Sequence, residues 1–434
     1  MSQRTYHDPL HGAIRLDRQI PAEALVIDLI DTAPFQRLRR IRQLGPAFLT
    51  FHGAESSRFT HSLGVLHLAR LALQQLEKLN PELAEHRAGL YAAALLHDLG
   101  HAPLSHTGEE MFGLRHEVWS GRLVREHPAL SARLEVVAPG LADQVATLLE
   151  LGEHPSPVIA ALVSSQLDCD RLDYLLRDSY STGTSYGLLD LERILAAFTL
   201  APDGCLALHP KGLMAVEHYL VVRQLMYRSV YNHRLNVVCN WLLSQAIATA
   251  RRLGPSRVWA DTTIAQWLWD LDSLGIDAFL ANDDIRCAYH LMRWREEAPD
   301  DLAEPCRRLL DRQLLKATDV SGLDPANRLE LLAEARRLSH RAGLVAERCC
   351  GLQQCQNRGY HPYKGGLRLW DGERLQALEK RSELVKTLAS PVESAWLIHP
   401  AEVSDPLRSC LKDRWGTQGL AGASGLGWVG DGKA

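Results

Sequence analysis

Long apolar runs are missing from this chain. No stretch is apolar for long enough to cross a bilayer, and the opening residues, MSQRTYHDPLHG, lack the apolar centre that a signal peptide needs. The expectation is a protein without membrane attachment. Cysteine is sparse as well, nine in 434 residues, and scattered. Its one cluster, Cys349, Cys350 and Cys355 (CCGLQQC), has neither a CxxC pair nor a second half at zinc spacing, so it reads as free thiols. Free thiols in turn point to a reducing cytoplasm. A surplus of positive charge is also lacking. The net charge of −4 argues against a dedicated nucleic-acid scaffold and leaves nucleic acid an unexpected partner. Local basic clusters could still hold a phosphorylated small molecule.

Strand signals are few too. Gly12–Leu16 (GAIRL) reads as one, and Cys205–Leu208 before His209-Pro210-Lys211-Gly212 as a short strand entering a turn. What fills the chain is helix. Ala92–Leu96, Val158–Val163, Leu188–Phe198 and His218–Leu243 carry apolar residues at three- and four-residue spacing. The expected fold is therefore all-α, a helical core with minor short β elements. The expected division is a catalytic core over 1–320, a mostly helical region over 321–418, and a glycine-rich tail over 419–434.

The motif that carries chemistry is distributed. Arg58-Phe59-Thr60-His61 precedes the apolar run Ala94-Leu95-Leu96 into His97-Asp98-Leu99-Gly100-His101, and Asp168-Cys169-Asp170-Arg171 follows. An HD pair alone is weak: a chain with 19 histidines is expected to show one by chance, and His7-Asp8 is read that way, not as a ligand. The wider pattern is specific. His61, His97, Asp98 and Asp170 combine neutral imidazole with carboxylate, a set suited to Mn, Fe, Zn or a similar divalent ion with positions left for water and phosphate.

With those residues in view, the chain resembles the HD-domain deoxynucleoside triphosphate triphosphohydrolases (dNTPases), the SAM-and-HD-domain group and its bacterial relatives. The resemblance runs from Tyr6 to about Lys316, through HDPLHG (7–12), IDTAPFQRLRRIRQLG (30–45), RFTHSLGV (58–65), LLHDLGHAPLSH (95–106), HE (116–117), DCDRLDYLLRD (168–178) and the tyrosines up to Tyr231. No SAM domain has a counterpart here.

Helical spacing adds to this. Asp170, Tyr174 and Asp178 fall at i, i+4 and i+8 and so share one helix face, with Leu172, Leu175 and Leu176 on the other. Such a stripe is either a solvated face or the lining of a site, and a metal aspartate beside it favours the lining. Arg223, Tyr227 and Tyr231 repeat the four-residue step, and Tyr227 also fits a core position.

The resemblance implies roles. Arg58 and Arg171 would bind the phosphate chain, Arg171 standing where the family often has lysine. Arg223 and Tyr231 match positions that contact phosphate and sugar. Gln43 and Asp178 would hold the sugar 3′-hydroxyl, Tyr231 would exclude a 2′-hydroxyl, and Leu44 would pack on the base. Asn232 replaces a glutamine. His106 would protonate the departing 5′-oxygen, and His101 would align the α-phosphate, exchanging protons with Glu109. His116 is either a third member of this group or a structural histidine. The implied reaction converts a dNTP to deoxynucleoside and triphosphate, with Mg²⁺ on the substrate phosphates.

The resemblance also implies a second nucleotide site. Asp31, Gln36 and Arg39 match residues that read a guanine edge, and Arg312 and Lys316, four apart on an expected helix, match a basic pair for activator phosphates. Arg4 and His7 stand where the family has lysine and asparagine. The implied partners are a GTP or dGTP activator and further copies of the chain, although the same motif also fits helix packing. Rival readings are an HD phosphohydrolase for nucleoside monophosphates, (p)ppGpp or cyclic dinucleotides, a single-strand nuclease, and a nucleotide sensor with an idle site.

Overall fold

The computed structural model describes residues 3–357, 359–362 and 366–416; the expected tail, 419–434, lies outside them. Helices dominate, with short strands between them. Among the described residues no helix is long and apolar enough to cross a membrane. The chain forms two compact units, each built from separated stretches. The first takes 1–229, 260–290 and 358–390, and the second 230–259, 291–357 and 391–434. This partition by compactness interleaves along the chain and differs from a linear one near residue 320.

The first unit opens with an antiparallel hairpin, Gln3–Asp8 against Gly12–Asp17, with Asp8 opposite Gly12. Its turn is tied by the Asp8 carboxylate, which accepts the N–H groups of Leu10 (2.9 Å) and His11 (3.0 Å). The expected GAIRL strand is the second of this pair, and its Ile14 and Leu16 are fully buried.

The Arg87–Leu96 helix (RAGLYAAALL) is buried from Gly89 onward. A helix apolar all round belongs inside, and this one packs among the Pro21–Ile30, Arg58–Glu77 and Leu141–Leu151 helices. It ends at Leu96, so His97 and Asp98 are delivered directly into the core. The Arg58–Glu77 helix puts His61 in its first turn. The Cys169–Thr182 helix starts where Asp168 accepts the Arg171 N–H at 2.8 Å and stops at the left-handed Gly183. A small sheet completes this unit. Phe198–Leu200 pairs with Leu206–Leu208, which bridges to Arg368–Trp370 and then Leu375–Ala377.

The run His218–Leu243, expected as one helix, is corrected. The helix Leu213–Met226 loosens into a π turn over Tyr227–Tyr231, and a new helix spans Arg234–Leu253. His233 adopts ψ 133°, accepts the Leu235 N–H (3.3 Å) and restarts the helix, while Asn236 donates to the Val230 carbonyl (2.8 Å). Apolar period alone does not register that break.

In the second unit the Arg234–Leu253 and Asp300–Leu310 helices pack together. Beside them Val392–His399 runs between Lys316–Asp319 and Gly351–Asn357 as the middle strand of an antiparallel sheet. A second correction follows. Arg312 lies beyond the helix end with φ +53°, and Lys316 begins a strand opposite His399, so the two do not share a helix. Burial of Leu315 and the strand pairing set that geometry.

Candidate metal centre and active site

Three helical segments bring His61, His97, Asp98 and Asp170 to one point of the first unit. The His61 Nε2 lies 2.9 Å from Asp170 Oδ1, 3.2 Å from His97 Nε2 and 3.5 Å from Asp98 Oδ2. The His97 Nε2 is 3.3 Å from Asp98 Oδ1 and 3.6 Å from Asp170 Oδ1. Two imidazole nitrogens facing each other amid carboxylates could hold a cation between them. The other nitrogen of each ring is already used: His61 Nδ1 lies 2.7 Å from Asp173 Oδ2, and His97 Nδ1 2.9 Å from the Ala94 carbonyl. This is how protein partners hold an imidazole with its Nε2 lone pair turned toward a metal.

Electrostatics agree. Burial would raise the Asp98 carboxyl, but Arg58, His97 and His101 hold it well below the usual range. Burial likewise opposes charge on Asp170 and Asp173, yet His61 and His97 at the first and Arg177 with His11 at the second keep both ionised. A divalent ion would offset these three closely grouped carboxylates, and the donor set of nitrogen and oxygen fits one.

Behind these ligands stands a network that motif reading missed. Asp173 takes His11 Nε2 at 2.6 Å and Arg177 Nε at 2.7 Å, and Arg177 also pairs with Asp8 at 2.9 Å. The hairpin motif HDPLHG thus reaches a metal ligand through one carboxylate. Gly64 is part of the fit, because a Cβ there would strike Asp173. The available signal was the DxxD spacing of Asp170 and Asp173.

A second cluster adjoins the first. His101 Nε2 is 3.1 Å from Asp98 Oδ1, and its Nδ1 is 2.8 Å from Glu109 Oε1. His116 Nδ1 is 2.8 Å and His106 Nδ1 3.4 Å from the same oxygen. His101 stacks on His116 with ring centroids 4.1 Å apart. Burial pushes His101 down to about 3, so it is neutral. Burial would also lower His116, but Glu109 raises it, making that pair ionic. His106, with its side chain 68% exposed, is the member open to solvent.

The other expected site residues fall as follows. Arg58 is buried and fully engaged: Nη1 donates to Asp98 (2.7 Å), Nε to Ser105 Oγ (2.9 Å) and Nη2 to the Gln43 carbonyl (3.1 Å). Gln43 is buried, and its Oε1 has no hydrogen-bond partner among the described residues. Leu44 is half-buried at the start of a 3₁₀ turn. Arg171 pairs with Asp168 and is placed electrostatically beside Tyr174 and Asp170. Arg223 is buried close to Tyr174 and Tyr219, with Tyr227 5.8 Å from its guanidinium carbon. The Nε atoms of Arg171 and Arg223 have no hydrogen-bond partner among the described residues. Asp178 is buried on the same helix as Asp170 and Tyr174. Tyr231 and Asn232 fall in the second unit.

Of the residues matched to an activator site, Arg4 pairs with Asp31 (2.6 Å), and Arg39 donates to Gln36 (2.8 Å) while lying 3.5 Å from the Phe59 ring. His7 is exposed on the hairpin. These belong to the first unit, and Arg312 and Lys316 to the second.

The helical scaffold and its His, His-Asp, Asp cluster define a divalent-metal site of HD type. Comparison with known proteins agrees. An HD domain model matches residues 58–175, and an HD associated region residues 189–258. The uncharacterized protein YwfO of Bacillus subtilis is 32% identical over 397 residues, covering 89% of each chain. The deoxynucleoside triphosphate triphosphohydrolase SAMHD1 of Gallus gallus is 28% identical across 57% of this chain, a match that spans 45% of that relative's length. A phosphohydrolase of Bacteroides thetaiotaomicron of known structure superposes with a TM-score of 0.78 at 25% identity, covering 92% of this chain and 99% of that one. The chain belongs to the HD-domain phosphohydrolase family.

Proposed function

We propose that this phosphohydrolase acts on deoxynucleoside triphosphates, cleaving at the α-phosphorus to release deoxynucleoside and intact triphosphate. The observation that carries this reading is the arrangement around the Cys169–Thr182 helix. One face runs Asp170, Tyr174, Asp178 away from the metal cluster, and half-buried Arg171 and buried Arg223 bring two guanidinium groups beside Tyr174 with their Nε donors unengaged. Those are groups for a phosphate chain leading from a metal toward a hydroxylated ring. The 28% identity to the SAMHD1 dNTPase supports the same substrate.

In this reading His61, His97, Asp98 and Asp170 hold Mn, Fe or Zn. That ion would supply Lewis acidity and a lowered water pKa. Arg58, Arg171 and Arg223 offset the phosphate charge, which carries its own Mg²⁺. His101, neutral and buried, orients the α-phosphate. His106 delivers a proton to the departing 5′-oxygen, and the Glu109–His116 pair holds its side of the cluster. Gln43, with its buried acceptor, and Asp178 receive the 3′-hydroxyl, and Leu44 lies against the base. Arg4, His7, Asp31, Gln36 and Arg39 contact GTP or dGTP in a homo-oligomer working in the cytoplasm.

The test is incubation of the purified protein with Mn²⁺ and each dNTP or rNTP, with and without GTP, followed by chromatography of the products. Triphosphate and deoxynucleoside are expected, with dNTPs turned over at least about tenfold faster than rNTPs, a difference of about 1.4 kcal/mol. Orthophosphate with dNDP, or pyrophosphate with dNMP, would place the enzyme elsewhere in its family.

A further inference from the structure

His106 begins its helix from a strained turn. The two residues before it, Leu104 (φ +64°) and Ser105 (φ +57°), both lie in the left-handed half of backbone space. Among the described residues only Arg312 is another non-glycine case. A Cβ crowds the backbone there, so two such residues in succession persist only where their surroundings hold them.

What holds them comes largely from a distant part of the sequence. The buried carboxylate of Asp284, 4% exposed, accepts the Leu104 N–H through Oδ1 at 2.7 Å and the Arg42 N–H through Oδ2 at 2.9 Å. Ser105 Oγ donates to the Arg42 carbonyl at 2.6 Å and accepts from Arg58 Nε at 2.9 Å. The residue Arg42 is therefore gripped at its N–H by Asp284 and at its carbonyl by Ser105. Arg37 adds a second tie between the same segments, donating to the Asn282 carbonyl (2.7 Å) and to the His101 carbonyl (3.0 Å). Gly45 permits the close approach, since a Cβ there would meet the Leu104 carbonyl oxygen at 2.5 Å. All of these residues belong to the first unit.

We propose that Asp284 is a positioning residue for the active site: its carboxylate holds the Leu104-Ser105 turn in the strained form from which His106 and the Ser105–Arg58 contact are presented. The inference rests on the reading that His106 and Arg58 serve a phosphate substrate. Asp284 itself touches neither the metal ligands nor any substrate group. Its effect is on where others stand, and small displacements of catalytic groups are costly in rate.

Asp284→Ala, Asp284→Asn, Leu104→Gly and the double variant Leu104→Gly/Asp284→Ala test it. Turnover, metal content, melting temperature and amide exchange over Leu104–Glu109 are measured for each. Asp284→Ala should lower kcat by about tenfold or more with KM changed less and metal content retained. Asparagine, which keeps one acceptor, should fall between alanine and wild type. Glycine at 104 adopts positive φ without strain, so the double variant should regain turnover relative to Asp284→Ala. A lower melting temperature with normal kcat per metal-loaded chain would make Asp284 merely structural and overturn the proposal, as would a lost kcat that glycine does not restore. If the wild type turns over no dNTP, the substrate reading fails by itself, and exchange decides the clamp. Faster exchange over Leu104–Glu109 in Asp284→Ala upholds it, and unchanged exchange overturns it.

Discussion

Asp98 serves four neighbours at once. Its carboxylate faces both metal-site histidines, takes Arg58 Nη1 at 2.7 Å and stands 3.1 Å from His101. Its loss would remove a ligand and leave Arg58 buried without its counter-charge. Asp98→Ala is therefore expected to abolish transition-metal binding and activity while the helical fold survives, because the ligands hang on an already packed scaffold. Full metal occupancy by elemental analysis in that variant would contradict the assignment. His67 makes a different prediction. Burial, with help from His11 and Arg70, pushes its imidazole from 6.5 down to about 4. A folded state that refuses a proton accepted by the unfolded chain loses stability as pH falls. The contribution of His67 is thus present above 6.5 and lost as pH falls toward 4. Melting temperature should drop more between neutral pH and mildly acid pH in the wild type than in His67→Leu; equal drops would rule this contribution out.

At the scale of elements, the site depends on how closely the His116–Glu126 helix approaches the HD turn. Gly100 N donates to Ser120 Oγ (2.8 Å), which donates in turn to the His97 carbonyl (2.7 Å). A Cβ on Gly100 would collide with the backbone of His116 and Ser120. Neither is a flexible side-chain end, so the helix would have to move. Gly100→Ala should destabilise the protein by about 1–3 kcal/mol, as overpacking does, and weaken metal binding through His97. Calorimetric melting and metal titration check it, and an unchanged melting temperature would show that the helix can give way freely. The same helix carries His116, whose ionic pairing with Glu109 depends on that approach.

For the whole molecule, the residues matched to a guanine site divide between units. Arg4 with Asp31 and Gln36 with Arg39 form local pairs on the first, while Arg312 and Lys316 lie in the second. Carboxylate, amide and guanidinium are the groups that pair with a guanine edge. A nucleotide that binds only the assembled form would shift the population toward it. Sedimentation with GTP or dGTP is expected to show a larger homo-oligomer, or activity to rise. Asp31→Ala should remove that response and leave metal binding intact. No change in size or rate with either nucleotide would leave the motif a packing feature.

Candidate metal ligands were legible in the sequence because that chemistry admits few residue types. His61, His97, Asp98 and Asp170 stand out as types, and an apolar helix leading into an HD pair is a pattern that helix geometry itself produces. The stripe Asp170, Tyr174, Asp178 followed from the 3.6-residue period alone. Apolar period failed in two ways. The His218–Leu243 run breaks at His233 through local capping that the period does not register, and Arg312 and Lys316 part because Lys316 pairs with a strand more than 80 residues away at His399. His11 and Asp284 were invisible as site residues for a related reason, and Asp173 showed only through its DxxD spacing from Asp170. A buried carboxylate acts through whichever N–H or imidazole the fold brings to it, and nothing in the residues adjacent to it records that partner. By itself the sequence determined the helical class and the candidate metal-binding set. Tertiary structure alone decided which carboxylates steady the candidate ligands and how the turn before His106 is held, because each depends on contacts between residues far apart along the chain.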